Sequence, residues 1–477
     1  MRILFFSDNF RPEPCPPAAH VYERAKLWAS WGHEVTVITT APNFPEGKVF
    51  PGYTNRWRFV ENMDGIRVVR VKTFIARNEG FLLRSLDYMS FVLPALCCAL
   101  LEARPDIVIS TSPQLFTPVA GVLYSKLRRV PHVFELRDLW PASILATSSM
   151  QPGRLYRLLE RLEMALYRHS TRILSITNSF VKDLTARGIS ADKIDVVLNG
   201  TNLDLFSPRP KDEEIETRYG LKDRFVIGYL GTLGLAHGLE NVLHTAQLLR
   251  DLPVSFLFVG VGAAKEKLQA RARELELQNV VFVPRQLKED MPRFWSVCDA
   301  SLVHLRNAEL FKTVIPSKIF ESMAMGLPIL FVGPRGEGAE VVERHRAGLI
   351  VTPEDPQALA GAIRTLLGNP KLQESLADNA LTAAPGYSRK RHAEGTLEVL
   401  TRALQAYLGR KRRREPDAAL PPLTEAVVDS RLVTLPREQR PWPDAITLIY
   451  ARDPRPDGTR ETLETALSMP DSDKERI

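Results

Sequence analysis

The chain has 477 residues, 44% hydrophobic and 25% charged, a composition that excludes disordered, collagen-like and disulfide-scaffold classes. Its length exceeds the roughly 250–300 residues at which single cores stop growing, so two or more domains are expected. Net charge is +7, but residues 415–477 hold 8 Lys/Arg against 13 Asp/Glu, which leaves +12 on residues 1–414 and points to anionic partners.

The N-terminus starts directly as a strand over 2–7, and Asp8 ends the apolar run before a leader's hydrophobic region forms, so no secretory leader is expected. Further strands are expected at 34–39, 66–72, 106–111, 132–136, 172–177 and 194–198. Between them lie amphipathic stretches such as 18–31, closed by Gly32, and 154–168. This alternation is the pattern of βα units in a parallel sheet. The most apolar window, 86–101, holds Asp87 and Pro94 and falls short of the roughly 20 residues a spanning helix needs, so it is not expected to cross a bilayer; it could lie in one, or be a buried core helix. Strand ends in open sheets gather reactive groups, so Glu135, Arg137 and Asp138 in the run 134–141 are candidates for acid–base or charge-stabilising work. The plain alternative is a buried network that holds the loop. His20, near a helix start, is a further candidate for the cleft.

The polar stretch 207–222 reads as a domain boundary. A second series of strands follows at 225–230, 254–260, 280–284, 300–305, 328–332 and 348–351. The fold class is therefore α/β, with two open, Rossmann-like parallel-sheet domains at 1–205 and 206–386 and ligand at the carboxyl ends of the strands. Past 408 a basic run, Arg410 to Arg414, precedes a Pro-rich tail without period, in which one short strand at 445–450 is expected.

The best local signal is the segment 314–329. Pro316 suits the first turn of a helix, whose free N–H groups together with Ser317 and Lys318 favour a diphosphate. Glu321 lies one turn further on the same face, placed to accept from a ribose diol. An exposed Lys318–Glu321 ion pair is the plain alternative. The glycine-rich turn 228–238, with Gly231 and Thr232, and the turn 259–262, with Gly262, let backbone approach a phosphate closely and point at one site. Cys15, Cys97, Cys98 and Cys298 have neither zinc nor disulfide spacing, and the one Asp-x-Asp is Asp471–Asp473. No metal and no cofactor are expected, and basic residues not interleaved with aromatics argue against nucleic acid.

Together these residues resemble the GT-B glycosyltransferases of family 4, over residues 1–408. Within that family they are similar to bacterial amino-sugar (N-acetylfucosamine-type) transferases of O-antigen, capsule or colanic-acid assembly. The likeness rests on Ser7-Asp-Asn-Phe10 with Pro12-Glu13, on the segments 41–48 and 135–141, on Asn199-Gly200 and on 310–328. The resemblance implies two domains facing a cleft, a helix over 387–408 crossing back to the N-terminal, acceptor-side domain, and retaining, metal-independent transfer from a UDP-sugar. Glu321 would hold the ribose hydroxyls, Ser317, Lys318 and the Gly231-Thr232 turn would contact the diphosphate, and Arg285 would lie near the base. The family's Arg and Lys after the first strand of the second domain are Thr232 and His237 here, and its first motif glutamate is Thr313. Lys312, His237 and Lys318 are then expected to supply positive charge. The family's N-terminal Gly-Gly loop is replaced by Pro14 to His20 and its active-site histidine by Arg137, which leaves Asp138, Arg137 and His20 as the catalytic candidates.

A lipid-linked glycan acceptor is also implied, with a cytoplasmic enzyme held peripherally on an anionic inner membrane face. The stretch 81–101 with Lys126, Arg128, Arg129, Arg154, Arg157, Arg161 and Arg168 would seat it there. On the same architecture the alternatives are a UDP-N-acetylhexosamine 2-epimerase and a degenerate nucleotide-binding scaffold.

Overall fold

A computed structural model describes residues 1–76, 81–142 and 153–414. The expected tail strand at 445–450 and Asp471–Asp473 lie outside the described residues.

The first half contains β1 (Arg2–Phe6), α1 (Pro16–Ser30), β2 (Glu34–Thr40), β3 (Arg58–Met63), β4 (Ile66–Val71), α2 (Phe81–Leu100), β5 (Ile107–Thr111), α3 (Phe116–Arg128), β6 (His132–Leu136), α4 (Arg154–His169), β7 (Arg172–Ser175), α5 (Asn178–Ala186) and β8 (Ile194–Val196). They form a sheet in the order β3-β4-β2-β1-β5-β6-β7-β8, parallel except where β3 pairs antiparallel with β4. Alternate residues of β1 face opposite layers, as strand geometry requires. Ile3 and Phe5 pack with Val21 and Trp28 of α1, while Leu4 and Phe6 pack with Phe91 of α2 and Tyr124 of α3. Strand β3 was not expected, because Arg58-Phe-Val-Glu-Asn-Met63 is a half-buried edge strand with no continuous apolar run.

The second half contains α6 (Glu213–Tyr219), β9 (Phe225–Leu230), α7 (Glu240–Leu248), β10 (Val254–Val259), α8 (Lys265–Glu274), β11 (Val280–Val283), α9 (Met291–Ser296), β12 (Ala300–His304), α10 (Lys318–Met325), β13 (Ile329–Val332), α11 (Glu337–Arg344), β14 (Gly348–Val351), α12 (Pro356–Leu367) and α13 (Pro370–Ala383). Its sheet runs β11-β10-β9-β12-β13-β14, all parallel.

The long helix α14 (Arg389–Arg414) then returns to the first sheet. Ala393, Val399, Leu400 and Ala403 join the core beneath β1 and β2, and Trp28 Nε1 donates to the Ala393 carbonyl at 3.0 Å. The crossing explains Asn199-Gly200. Thr201 N donates to Tyr387 O and Arg389 N to Thr201 O, both at 2.8 Å, and a Cβ at position 200 would stand 2.3 Å from the Tyr387 carbonyl.

Helix α2 buries Phe91, Ala95 and Cys98 and exposes Leu86, Met89 and Leu93. Among the described residues no helix is long and apolar enough to cross a membrane.

Candidate functional site

At the end of β9 the chain enters the turn 231–238, and at the end of β10 it enters 260–262. Gly231, Gly260 and Gly262 all have positive φ, 131°, 147° and 158°. The two turns lie backbone on backbone: a Cβ on Gly260 would come within 2.0 Å of Gly231 O, and one on Gly262 within 2.3 Å of Leu233 O. Only glycine permits that approach.

Helix α10 starts opposite these turns. Ser317 is exposed at its N-cap, and its side chain caps nothing. Lys318 turns inward, its Nζ 3.4 Å from the centroid of the Tyr229 ring and beside Gly231, where a Cβ would stand 3.7 Å away. That ammonium is buried and has no hydrogen-bond partner, and burial pushes it down to about 7. The Tyr229 hydroxyl donates to Thr232 O at 2.8 Å, so the ring that carries the lysine also fixes the glycine turn. Burial raises Glu321, opposed by Lys288, Trp295, Arg389 and Lys318 around it. Lys318 and Glu321 are therefore not an exposed pair.

The expected charges need correction. His237 Nδ1 lies 3.3 Å from His304 O, His304 Nδ1 lies 2.6 Å from His237 O, and Asn241 Nδ2 lies 3.0 Å from His304 Nε2. A carbonyl only accepts, so both Nδ1 atoms carry the proton, and Asn241 donates to a neutral His304. Burial and then Lys318 push His237 down to about 4, so it is neutral and does not supply positive charge. Lys312 is paired with Glu309 at 2.6 Å on the surface. The additional cations near Glu321 are Lys288 and Arg389, which the sequence reading did not single out. Both sit at element boundaries, the loop after β11 and the first residue of α14, where the strand-end rule gave the one usable signal for Lys288.

On the first sheet Glu135 is corrected as an acid–base candidate. It is fully buried and held by both Arg24 nitrogens at 2.7 and 2.8 Å, which keeps it down at about 2 against the penalty of burial. Arg137 donates its backbone N–H to Ser112 Oγ at 2.8 Å. Its Nη1 stands 3.7 Å from Glu135 and is buried without a hydrogen bond. Asp138 is half-buried beside it, with its carbonyl accepting from Trp140 N. His20 is buried against Arg389, whose two terminal nitrogens lie 2.6 and 2.9 Å from the ring nitrogens. A neutral imidazole has one lone pair, so one of these contacts is a hydrogen bond and the other is only packing. Burial, Arg389 and Arg137 hold His20 well below its ordinary value.

The two sheets meet here. Lys288 pairs with Glu23 of α1, which also receives Arg389 Nε at 2.9 Å, and Arg285 Nη2 donates to Pro14 O at 2.6 Å. Glu337 of α11 accepts the backbone N–H groups of Asn178 and Ser179 at the start of α5. His20 and Arg137 thus share one locus with Lys318 and Glu321, joined through Arg389 and Lys288, while Lys312 is paired with Glu309. Two buried cationic donors without a hydrogen-bond acceptor, on Arg137 and Lys318, with Arg389 beside them, make this a site for an anion.

Two open parallel-sheet domains facing one cleft define the class of fold, and comparison with known proteins specifies it. Residues 17–200 match the glycosyl transferase 4-like domain and residues 211–382 match glycosyl transferases group 1. The chain belongs to the GT-B glycosyltransferases. It is 26% identical over 382 residues to the putative colanic acid biosynthesis glycosyl transferase WcaI of Escherichia coli (strain K12), covering 78% of this chain and 93% of that protein. It is also 26% identical to the probable glycosyltransferase WbjE of Pseudomonas aeruginosa, over 54% of this chain and 66% of the other. The fold matches Anabaena Alr3699/HepE, solved in complex with UDP, with a TM-score of 0.63 and 20% identity over 84% of this chain and all of that one. The protein is a group 1 glycosyltransferase of polysaccharide biosynthesis, which sets aside the epimerase and the scaffold.

Proposed function

We propose that the enzyme transfers a sugar of N-acetylhexosamine type from a UDP-sugar to a polyprenyl-diphosphate-linked glycan, with retention of configuration and without a metal. The observation that carries the donor half is the buried, unpartnered ammonium of Lys318, set between the Tyr229 ring and Gly231. A diphosphate laid along the two glycine turns and the start of α10 gives that ammonium its missing acceptor, with Ser317, Thr232 and Gly262 alongside. Glu321, one turn inside, takes the ribose hydroxyls, and Arg285 lies toward the base. Arg137 and Arg389 then stabilise the leaving diphosphate from the other side. Asp138, Arg137 and His20 line the acceptor's approach, and a donor phosphate oxygen takes the proton of the incoming hydroxyl.

Membrane attachment is supported by exposed leucines on three helices, Leu86 and Leu93 of α2, Leu123 and Leu127 of α3, and Leu155 and Leu158 of α4. Exposed Lys126, Arg129, Arg154, Arg157, Arg161 and Arg168 flank them, a combination that suits an anionic lipid surface.

The test is thermal stabilisation by UDP, GDP, ADP and TDP without metal. UDP at about 100 times its dissociation constant should add roughly 2.7 kcal/mol. Lys318→Ala and Glu321→Ala should lose that gain. Equal response to all four nucleotides, or none, removes the UDP assignment.

A further inference from the structure

Two segments singled out in the sequence, Ser7 to Phe10 and 41–48, take no part in the donor site, yet they meet in space. A cavity of about 50 Å³ opens at the carboxyl ends of β1, β2 and β5, lined by Asp8, Asn9, Asn43, Asp87, Tyr88 and Gln114 among others. Glu13 ties the segments together. Its Oε1 accepts from the backbone N–H groups of Asn43 and Phe44 at 2.8 and 2.9 Å, and its Oε2 accepts from Asn9 Nδ2 at 2.9 Å. Gln114 Nε2 donates to Asn9 Oδ1 at 3.0 Å, and Asp87 accepts from Ala76 N at 3.2 Å.

Asp8 differs from these neighbours. Its backbone carbonyl accepts from the Thr39 and Thr40 hydroxyls, but its carboxylate faces the cavity and accepts no hydrogen bond from a described residue. Burial, followed by the charges of Asp87 and Glu13, pushes it well above the usual carboxylate range. Asp8 is half-buried, and its carboxyl at the cavity wall is open to a hydrogen-bonding group from outside. A further negative charge is disfavoured here, since burial and the neighbouring carboxyls already work against the charged form of Asp8 itself. No group of three His, Cys, Asp or Glu among the described residues is spaced to hold a metal ion. The volume takes roughly three or four water-sized groups, which suits one hydroxyl-bearing edge of a sugar ring and not a whole pyranose. The position fits as well. The loop that carries Glu13 touches the second domain on either side of it, Arg11 pairing with Glu289 at 3.8 Å and Pro14 O accepting from Arg285 Nη2 at 2.6 Å, so the cavity lies next to the cleft.

We propose that this cavity is an acceptor subsite that grips the hydroxyl edge of a neutral sugar through Asp8, and that Asp8 and Asp87 exclude uronic acids and phosphorylated sugars from it. The proposal rests on the reading of the first domain as the acceptor side.

Saturation-transfer NMR on the full chain tests it, with the methyl glycosides of glucose, galactose, N-acetylglucosamine and glucuronic acid as probes and UDP run in parallel. At least one neutral glycoside should bind and the glucuronide should not. Asp8→Asn should weaken that binding about tenfold, the scale of one hydrogen bond, with the UDP signal unchanged. Asp8→Glu keeps the carboxyl but pushes a methylene into the cavity, so it should also lose the glycoside and reads the site even where Asp8→Asn fails to fold. Absence of neutral glycoside binding to the wild type, equal binding by the Asp8 variants, or binding of the glucuronide as strongly as the neutral probes overturns the subsite. Silence of UDP with the glycoside arm intact overturns the donor reading and leaves the cavity standing.

Discussion

The two sheets end in contrasting surroundings. The second presents backbone to the cleft, in the form of two glycine turns packed on each other, a helix start and a buried ammonium. The first presents side chains, the Arg24–Glu135 pair, Arg137, His20 and the carboxylates around Asp8. A phosphate can be met by main-chain geometry that short motifs encode. A sugar edge needs individual polar groups gathered from distant segments, each of which must be held by something else. The face that looks simpler in the sequence therefore has the simpler ligand chemistry.

The largest test of this contrast is on the first sheet. Glu135→Ala leaves Arg24 buried and unpaired, and should cost about 3–5 kcal/mol in urea unfolding. A loss below about 1 kcal/mol would mean that side-chain networks do not hold that face together. On the second sheet, Lys318→Met should leave stability unchanged or slightly higher, since a desolvated charge is removed, while transfer falls about a hundredfold. Parallel urea and rate measurements separate the two effects.

A finer test uses pH. Lys318 stands at about 7 when folded against 10.5 ordinarily, so across that window the unfolded chain holds a proton that the folded one lacks. The stability contribution of this group therefore rises with pH between about 7 and 10.5. A bound diphosphate favours the charged lysine, so nucleotide binding near pH 8 should take up close to one proton and weaken as pH climbs. Calorimetry in two buffers of different ionisation enthalpy measures that uptake, and zero uptake breaks the link between Lys318 and the phosphate. The smallest effect belongs to Lys312→Ala, whose exposed pair with Glu309 should be worth no more than about 0.5 kcal/mol by the same unfolding assay.

Much of the architecture was legible, because buried parallel strands such as Phe225–Leu230 and Val254–Val259 are continuous apolar runs. Strand β3 was not, since an edge strand shares its pattern with loops. The placement of Lys318 and Glu321 was read from one helix start and the spacing of four between Ser317 and Glu321, whereas the spacing of three between Lys318 and Glu321 suggested an exposed pair. The charge on His237 was misread for a physical reason: its tautomer and neutrality depend on His304, far away in sequence and brought alongside only by the sheet order. Arg389 was missed because its partners, His20 and Glu23, belong to the other end of the chain. The Glu135 network was anticipated as an alternative, but Arg24 was not foreseen as its partner.

Helix α14 also sets a schedule for synthesis. The core under β1 and β2 includes Ala393, Val399, Leu400 and Ala403, so the first sheet is completed by the last described helix. On a ribosome the first sheet waits for about 190 further residues after Gly200, roughly 10–40 s at about 5–20 residues per second, while the second sheet is free to fold. Over that interval Ile3, Phe5, Val35 and Val37 lack part of their cover. A gene cut after β8 would encode an open core and not half an enzyme, and soluble expression of the first domain alone requires residues 389–414 to be returned to it, fused or as a peptide.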